Sequence, residues 1–226
     1  MLKGVLKNIA RILLCFVVLS ILWVVLYKYL PVKWTPLMLK RYVENVENEG
    51  YANRCTWIDL EDISPVMVRA VIASEDGRFT EHHGFDLTEL RNMYREHKES
   101  GKKIRGCSTI SQQVAKNCFT FCGRNLWRKC FEAYYTILIE LFWSKERIME
   151  VYLNVAEMGN GVFGVEEASM LNFGRHASDL TTHQAVSIAC VLPKPMGRDP
   201  KTVSRTCRKK YNVTYKRTEQ VVYPFE

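Results

Sequence analysis

The chain has 226 residues, 47% of them hydrophobic and 25% charged, a balance that excludes a disordered tail and suits one globular domain with an added segment. Thirty-two Lys and Arg against 24 Asp and Glu leave a formal net charge of +8. That excess points to an anionic partner: nucleic acid, a phospholipid surface or a phosphorylated substrate.

The first predicted element chooses among these. The run ILLCFVVLSILWVVL, Ile12 to Leu26, carries no charge, and its apolar character continues through Tyr27, Tyr29 and Leu30 around Lys28. At about 1.5 Å per residue such a helix crosses a hydrocarbon core of roughly 30 Å, provided that Lys28 snorkels to the surface. Lys3, Lys7 and Arg11 precede it, which predicts a cytoplasmic N-terminus and an exported remainder. A cleaved signal peptide is the competing reading, but the following YKYLPVKWTP holds no small-x-small cleavage site. One uncleaved transmembrane helix is therefore expected, with Lys28, Lys33, Lys40, Tyr27, Tyr29 and Trp34 at the membrane surface. Nucleic acid is not expected as a partner.

Beyond it the signals are mainly helical. Ser64-Pro65 predicts an N-cap and a proline at the first helical position, followed by Val68, Val71 and Ile72 at helical spacing and by Glu75-Asp76 at the C-terminal end. Asp86 and Glu89 have capping-box spacing, and Leu87, Leu90 and Tyr94 open an apolar face that runs out at Gly101. Residues 125–143 form the longest and most apolar helical candidate of the main domain, and a central position is expected for it. Ser144 predicts a cap for a helix turning Ile148, Val151 and Tyr152 inward. A further run, 182–192, stops at Pro193 and Pro195, and the basic segment after residue 200 reads as β-prone. The eight cysteines show no paired C-x-x-C spacing; buried apolar roles are expected, with a zinc set of Cys118, Cys122 and Cys130 as the competing reading.

Three stretches have the residue types that chemistry needs. In VIASEDGRFTEHHGFD, residues 71–86, a carboxylate at the end of an apolar helix is partly desolvated, which makes it a better proton acceptor near neutral pH; a helix end turning to solvent fits the same pair. His82, His83 and His97 with Glu81 and Asp86 lack metal-ligand spacing, so a surface role is expected and no metal site. In RGCSTISQQVAKN, residues 105–117, Ser108 and Thr109 open a helix whose free N–H groups, with Arg105 and Lys116 nearby, form a phosphate cradle. Gln112 and Gln113 are costly to bury without partners and suit sugar hydroxyls or backbone groups; an ordinary capped helix fits this stretch too. Arg124, Arg128 and Lys129 then precede Glu132, either as a solvated face or as cations held near a cleft.

Taken in order, ASEDGRFTEHHGFD, GCSTISQQVAKN, RKCFE, KERIMEVYLN and GNGVFGVEEASMLNFG with LPKP resemble the motifs of the peptidoglycan glycosyltransferases of glycosyltransferase family 51, in their short monofunctional form. The resemblance implies a mainly α, lysozyme-like domain of two lobes behind one N-terminal transmembrane helix, the smaller lobe including about residues 88–106. Its implied partition is 1–30 for the cytoplasmic stub and anchor, 31–60 for the juxtamembrane entry, 61–200 for the catalytic domain and 201–226 for a basic tail. It implies polymerisation of lipid II into β-1,4-linked glycan with inversion and release of undecaprenyl diphosphate, on the outer side of the cytoplasmic membrane. By the same resemblance Glu75 is the general base, Asp76 tunes it and Glu132 is a second catalytic glutamate. Lys116 and Arg124 hold the donor diphosphate, while Ser108, Gln112, Gln113, Asn117, Arg128 and Lys129 line the cleft. No cofactor is required, and a divalent cation, Mg or Mn, is allowed. The implied partners are lipid II, the growing glycan, membrane lipids and other cell-wall synthesis or division proteins. The chain departs from the pattern at Gly106-Cys107, where two glycines are usual, and at Thr182 to Ala185.

Overall fold

The computed structural model describes residues 2–47, 51, 53–101, 106, 108–121 and 126–225, the Leu2 side chain excepted. The expectations for Arg105, Cys107, Cys122 and Arg124 lie outside the described residues. Within them the chain is mostly helical, as expected.

Helix α1 (Leu2–Tyr29) holds the uninterrupted apolar run and is long and apolar enough to cross a membrane. Leu13, Leu14, Leu19 and Leu22 face outward from it. One side docks on the rest of the molecule: the Trp143 indole N–H donates to the Val24 carbonyl at 2.9 Å, and the Ser20 and Tyr134 hydroxyls meet at 2.6 Å. Arg147 donates to the Tyr27 carbonyl at 2.8 Å, satisfying an acceptor that the end of any helix leaves without an intrahelical partner.

Helix α2 (Pro36–Asn45), capped by Thr35, leads to strand β1 (Arg54–Cys55) and then to α3 (Pro65–Glu75). Pro65 opens α3 as its missing N–H allows, but Ser64 does not cap it; its hydroxyl donates instead to the Leu180 carbonyl at 3.3 Å. Helix α4 (Leu87–Ser100) starts where the Asp86 carboxylate accepts the Glu89 N–H at 2.9 Å and ends at Gly101, whose φ of 65° is the left-handed conformation expected of a helix stop. Next come α5 (Ile110–Phe119), α6 (Leu126–Phe142) and α7 (Lys145–Val155), the last capped by Ser144 and burying Ile148, Val151 and Tyr152 as its spacing predicts. Strands β2 (Glu157–Gly159) and β3 (Val162–Phe163) join β1 in a small sheet of order β1-β3-β2, with β1 parallel and β2 antiparallel to β3. Helices α8 (Val165–Phe173), α9 (Thr182–Val191), α10 (Val203–Thr206) and α11 (Arg208–Gln220) complete the order.

Packing overturns two expectations. The central helix is α9, not α6: every residue from Ala185 to Val191 is buried, and α3 and α11 pack against it. Full burial of a side chain such as Ile188 is worth about 1.5–3 kcal/mol, so α9 anchors the core. Helix α6 instead leaves Leu126 78% and Trp127 74% exposed and turns its inner side to α1 and α5. The Leu87, Leu90 and Tyr94 face of α4 is likewise exposed. Secondly, the segment read as β-prone is helix α11, which buries Tyr211, Thr214 and Thr218 at helical spacing. Its β-branched threonines favour strands intrinsically, and burial of that face overrides the preference.

One glycine close to the candidate site is required by geometry. Gly84 has φ 84°, and a Cβ there would lie 2.6 Å from the Thr136 methyl carbon on α6. Gly84→Ala is expected to destabilise the fold by about 2–3 kcal/mol through strain and overlap together, measurable as a lowered urea midpoint. Among the described cysteines, Cys118 and Cys190 are buried and Cys15 and Cys130 are exposed, all as free thiols. Burial pushes the Cys55 thiol up to about 11 and that of Cys118 higher still. At pH 8 Cys55 and Cys118 are therefore expected to resist iodoacetamide in the folded protein and to react on unfolding, as intact-mass spectrometry would show.

Candidate active site

The site is built where α3 ends. The last turn of α3 is buried through Ala73, which carries Glu75 into a cleft of about 500 Å³ lined by Glu75, Asp76, Arg78, Ser108, Lys210 and Arg217 among others. The Glu75 side chain is 9% exposed and held from three directions. Its carboxylate accepts from the Ser74 hydroxyl at 3.0 Å and from the Gln113 amide at 3.3 Å, and it faces the Lys210 ammonium at 3.5 Å. Gln113 is itself oriented, because its carbonyl oxygen accepts from the Tyr152 hydroxyl at 3.3 Å. Burial, and then the charges of Glu75 and Asp76, push the Tyr152 phenol up, so it stays protonated; donating to the Gln113 oxygen, it leaves the Gln113 N–H for the Glu75 carboxylate.

Asp76 is buried and points away from this acceptor. One of its oxygens accepts the Ile110 N–H at 3.0 Å, in the first turn of α5, and the other lies 2.9 Å from His82 Nε2. A carboxylate at a helix N-terminus satisfies an otherwise unpaired donor and meets the positive end of the helix dipole. Asp76 thereby ties the end of α3 to the start of α5. His82 is buried, not at the surface as its spacing suggested, with a ring nitrogen against the Asp76 carboxylate.

Thr109 caps α5 in a reciprocal box with Gln112, which places Gln112 in structural service: its side-chain oxygen accepts the Thr109 N–H at 3.1 Å. The Thr109 hydroxyl also donates to the Gly84 carbonyl at 2.7 Å, so the α3 loop and α5 share one anchor. Ser108 is exposed at the cleft, Lys116 is exposed one turn beyond Gln113, and Asn117 is buried. Arg128, Lys129 and Glu132 gather separately on the first turns of α6. Glu132 is 2% exposed and accepts from Arg128 at 2.7 Å and from Lys129. None of these three lines the Glu75 cleft. The structure thus brings together Glu75, Asp76, Ser108 and Gln113, and keeps the α6 cluster as a second charged group.

Residues 41–219 match the family model described as Transglycosylase. The chain belongs to the transglycosylase family. It is 45% identical over 195 residues to the biosynthetic peptidoglycan transglycosylase of Bacteroides thetaiotaomicron, covering 86% of this chain and 78% of that protein. To the protein of the same description in Pseudomonas putida it is 47% identical over 197 residues, covering 87% and 83% respectively. To that of Caulobacter vibrioides it is 48% identical over 173 residues, covering 76% and 73%.

This transglycosylase places in its cleft two cations that sequence reading passed over, Lys210 and Arg217 of α11. They lie seven residues apart, two helical turns, while Tyr211, Thr214 and Thr218 mark the buried face. That i, i+3, i+7 pattern was available as a helix signal, but threonines supplied it where aliphatic residues usually do. Tyr152 was read as a core residue only, and its contact with Gln113 is visible in three dimensions alone.

Among the described residues, Asp76, His82 and Asp86 form a group whose metal-ligating atoms converge within 4.8 Å. Its chemistry does not suit Mg or Mn. The carboxylates already accept the Ile110 and Glu89 N–H groups, and Asp76 pairs with His82, whereas hard cations take about six oxygen ligands, several of them waters.

Proposed function

We propose that this chain polymerises lipid II into β-1,4-linked glycan strands, releasing undecaprenyl diphosphate with inversion at the donor C1. The observation that carries the reading is Glu75: one carboxylate, nearly enclosed, oriented by Ser74 and the Tyr152-fixed Gln113, in a cleft that also holds cations. In the transfer the acceptor 4-hydroxyl oxygen bonds to C1 of the donor as the bond from C1 to the diphosphate oxygen breaks. Glu75 takes the hydroxyl proton, a role in which a positioned base is worth about 10²–10⁴ in rate. Asp76 acts by positioning, through the joint of α3 with α5.

The electron pair of the broken bond stays on the diphosphate, whose negative charge grows. Lys116 and Arg124 hold it, and cations aimed at developing charge are worth about 3 kcal/mol each in a water-poor site. Glu132 keeps Arg128 and Lys129 in fixed orientation. The reaction needs no cofactor, and Mg or Mn enters this proposal only as a counter-ion brought with the diphosphate. Helix α1 is an uncleaved anchor that confines the domain to the outer face of the cytoplasmic membrane, where the lipid-linked substrate diffuses. Cell-wall synthesis or division proteins are its further partners.

Purified full-length protein in detergent with labelled lipid II tests the reading. Long glycan chains that lysozyme digests are the expected product. Cleavage of finished peptidoglycan without any polymer would overturn it in favour of a lytic enzyme.

A further inference from the structure

Helix α1 ends on a carbonyl that its own backbone cannot serve. The Tyr27 carbonyl would accept from residue 31 in a continuing helix, and Pro31 has no N–H. Arg147, in the first turn of α7 and 14% exposed, supplies the missing donor from far along the chain. Its Nε and Nη2 donate to the Tyr27 carbonyl at 3.2 and 2.8 Å, Nη2 also donates to the Leu30 carbonyl, and Nη1 pairs with Glu150. The guanidinium carbon lies 5.0 Å from the centre of the Trp57 ring, and the other Glu150 oxygen accepts the Leu60 N–H at 3.3 Å. A cation at a helix C-terminus also meets the negative end of the helix dipole. Apolar contact between α1 and α6 has little drive of its own in a membrane, because lipid tails are as apolar as the side chains they would replace. Polar contacts decide the docking there, and those of Arg147 are charge-assisted, roughly twice as strong as the neutral bonds at Val24 and Ser20.

We propose that Arg147 is a positioning residue that fixes the height and tilt of the Glu75 cleft relative to the end of the anchor; the proposal rests on the reading of lipid II as the substrate. The connection runs through side chains already placed. Helix α7 carries Tyr152 five residues beyond Arg147, roughly 7–8 Å along the helix axis. Tyr152 donates to Gln113, and Gln113 donates to Glu75. Arg147 itself does not line the Glu75 cleft. A substrate held by its lipid tail presents its diphosphate at one depth only. A cleft that rocks on its anchor meets that depth for a fraction of the time, and apparent affinity falls by the same fraction. A substrate dissolved in water imposes no such depth.

The test uses the full-length chain in nanodiscs of phosphatidylethanolamine and phosphatidylglycerol. Spin-labelled unnatural side chains replace Leu13 on α1 and Leu171 on α8, both exposed, and pulsed electron resonance reads the distance between them. One narrow distance distribution is expected with Arg147 in place, and a broader one for Arg147→Ala. In turnover Arg147→Ala is expected to raise KM about tenfold for membrane-held lipid II with kcat nearly unchanged, and to leave KM for a water-soluble short-chain analogue as it was. Arg147→Lys, which keeps the charge but not the fork of donors, is expected to fall between the two. Glu150→Gln removes the ion pair and leaves the α1 carbonyls bonded, so it should match wild type in both readouts. A narrow distribution in Arg147→Ala, or an equal rise in KM for both substrates, would overturn the proposal. Wild-type behaviour of Arg147→Lys would count against it in the same way, as would Glu150→Gln matching Arg147→Ala. Wild-type protein that turns over neither substrate would sink the polymerase reading alone, because the distance distribution decides the clamp without turnover.

Discussion

Glu75→Gln is expected to lower lipid II polymerisation by about 10³-fold while leaving the melting temperature nearly unchanged. The amide is isosteric with the carboxylate but cannot accept the 4-hydroxyl proton. It keeps an oxygen for the Ser74 hydroxyl, and the contact with Gln113 survives by reversal: the Gln113 amide turns over and the Tyr152 hydroxyl accepts where it had donated. Only the ion pair with Lys210 is lost. At 3.5 Å, with the lysine part-exposed, such a pair is worth about 0–1 kcal/mol. The measurement is initial rate against labelled lipid II beside a thermal melt. Wild-type turnover in the variant would remove Glu75 from the chemistry and the proposed mechanism with it.

Asp76→Ala should behave differently, and the contrast separates the neighbouring carboxylates. Removing the side chain leaves the Ile110 N–H at the start of α5 without its acceptor and strips buried His82 of its partner. Two buried polar groups then lose their hydrogen bonds, at a cost of about 3 kcal/mol in all. For a domain of this size that lowers the melting temperature by roughly 6–12 °C. Activity is expected to fall as well, because α5 carries Gln113 and the Thr109 box that position the Glu75 cleft. Asp76→Asn keeps one acceptor oxygen and is expected to fall between Asp76→Ala and wild type in both readouts. An unchanged melting temperature in Asp76→Ala would refute the role of this carboxylate as the joint between the two helices.

The site was partly legible in the chain. Glu75 and Asp76 stand out because they end an apolar helix, and Ser108 and Thr109 because they precede one. The family resemblance divided their labour, but spacing did not: two adjacent carboxylates have the same local sequence, and only the directions of their side chains separate a residue facing the cleft from one bonded to α5. Gln112 and Gln113 divide in the same way, one closing a capping box and the other reaching Glu75. Lys210 and Arg217 come from a helix far along the chain, and no spacing rule connects them to Glu75.

What the sequence determined by itself is what short-range physics controls. An unbroken apolar run makes a helix able to span a membrane, proline and capping residues start helices, Gly101 stops one, and the ordered motifs place the chain in its family. Tertiary structure alone decided that α9 is the core helix, that α6 gives its apolar side to α1, and that α11 returns to the cleft. The physical reason is that an apolar face has the same spacing whether it is meant for a protein core or for a hydrocarbon layer. Which of these covers it depends on partners brought near by the folding of the whole chain.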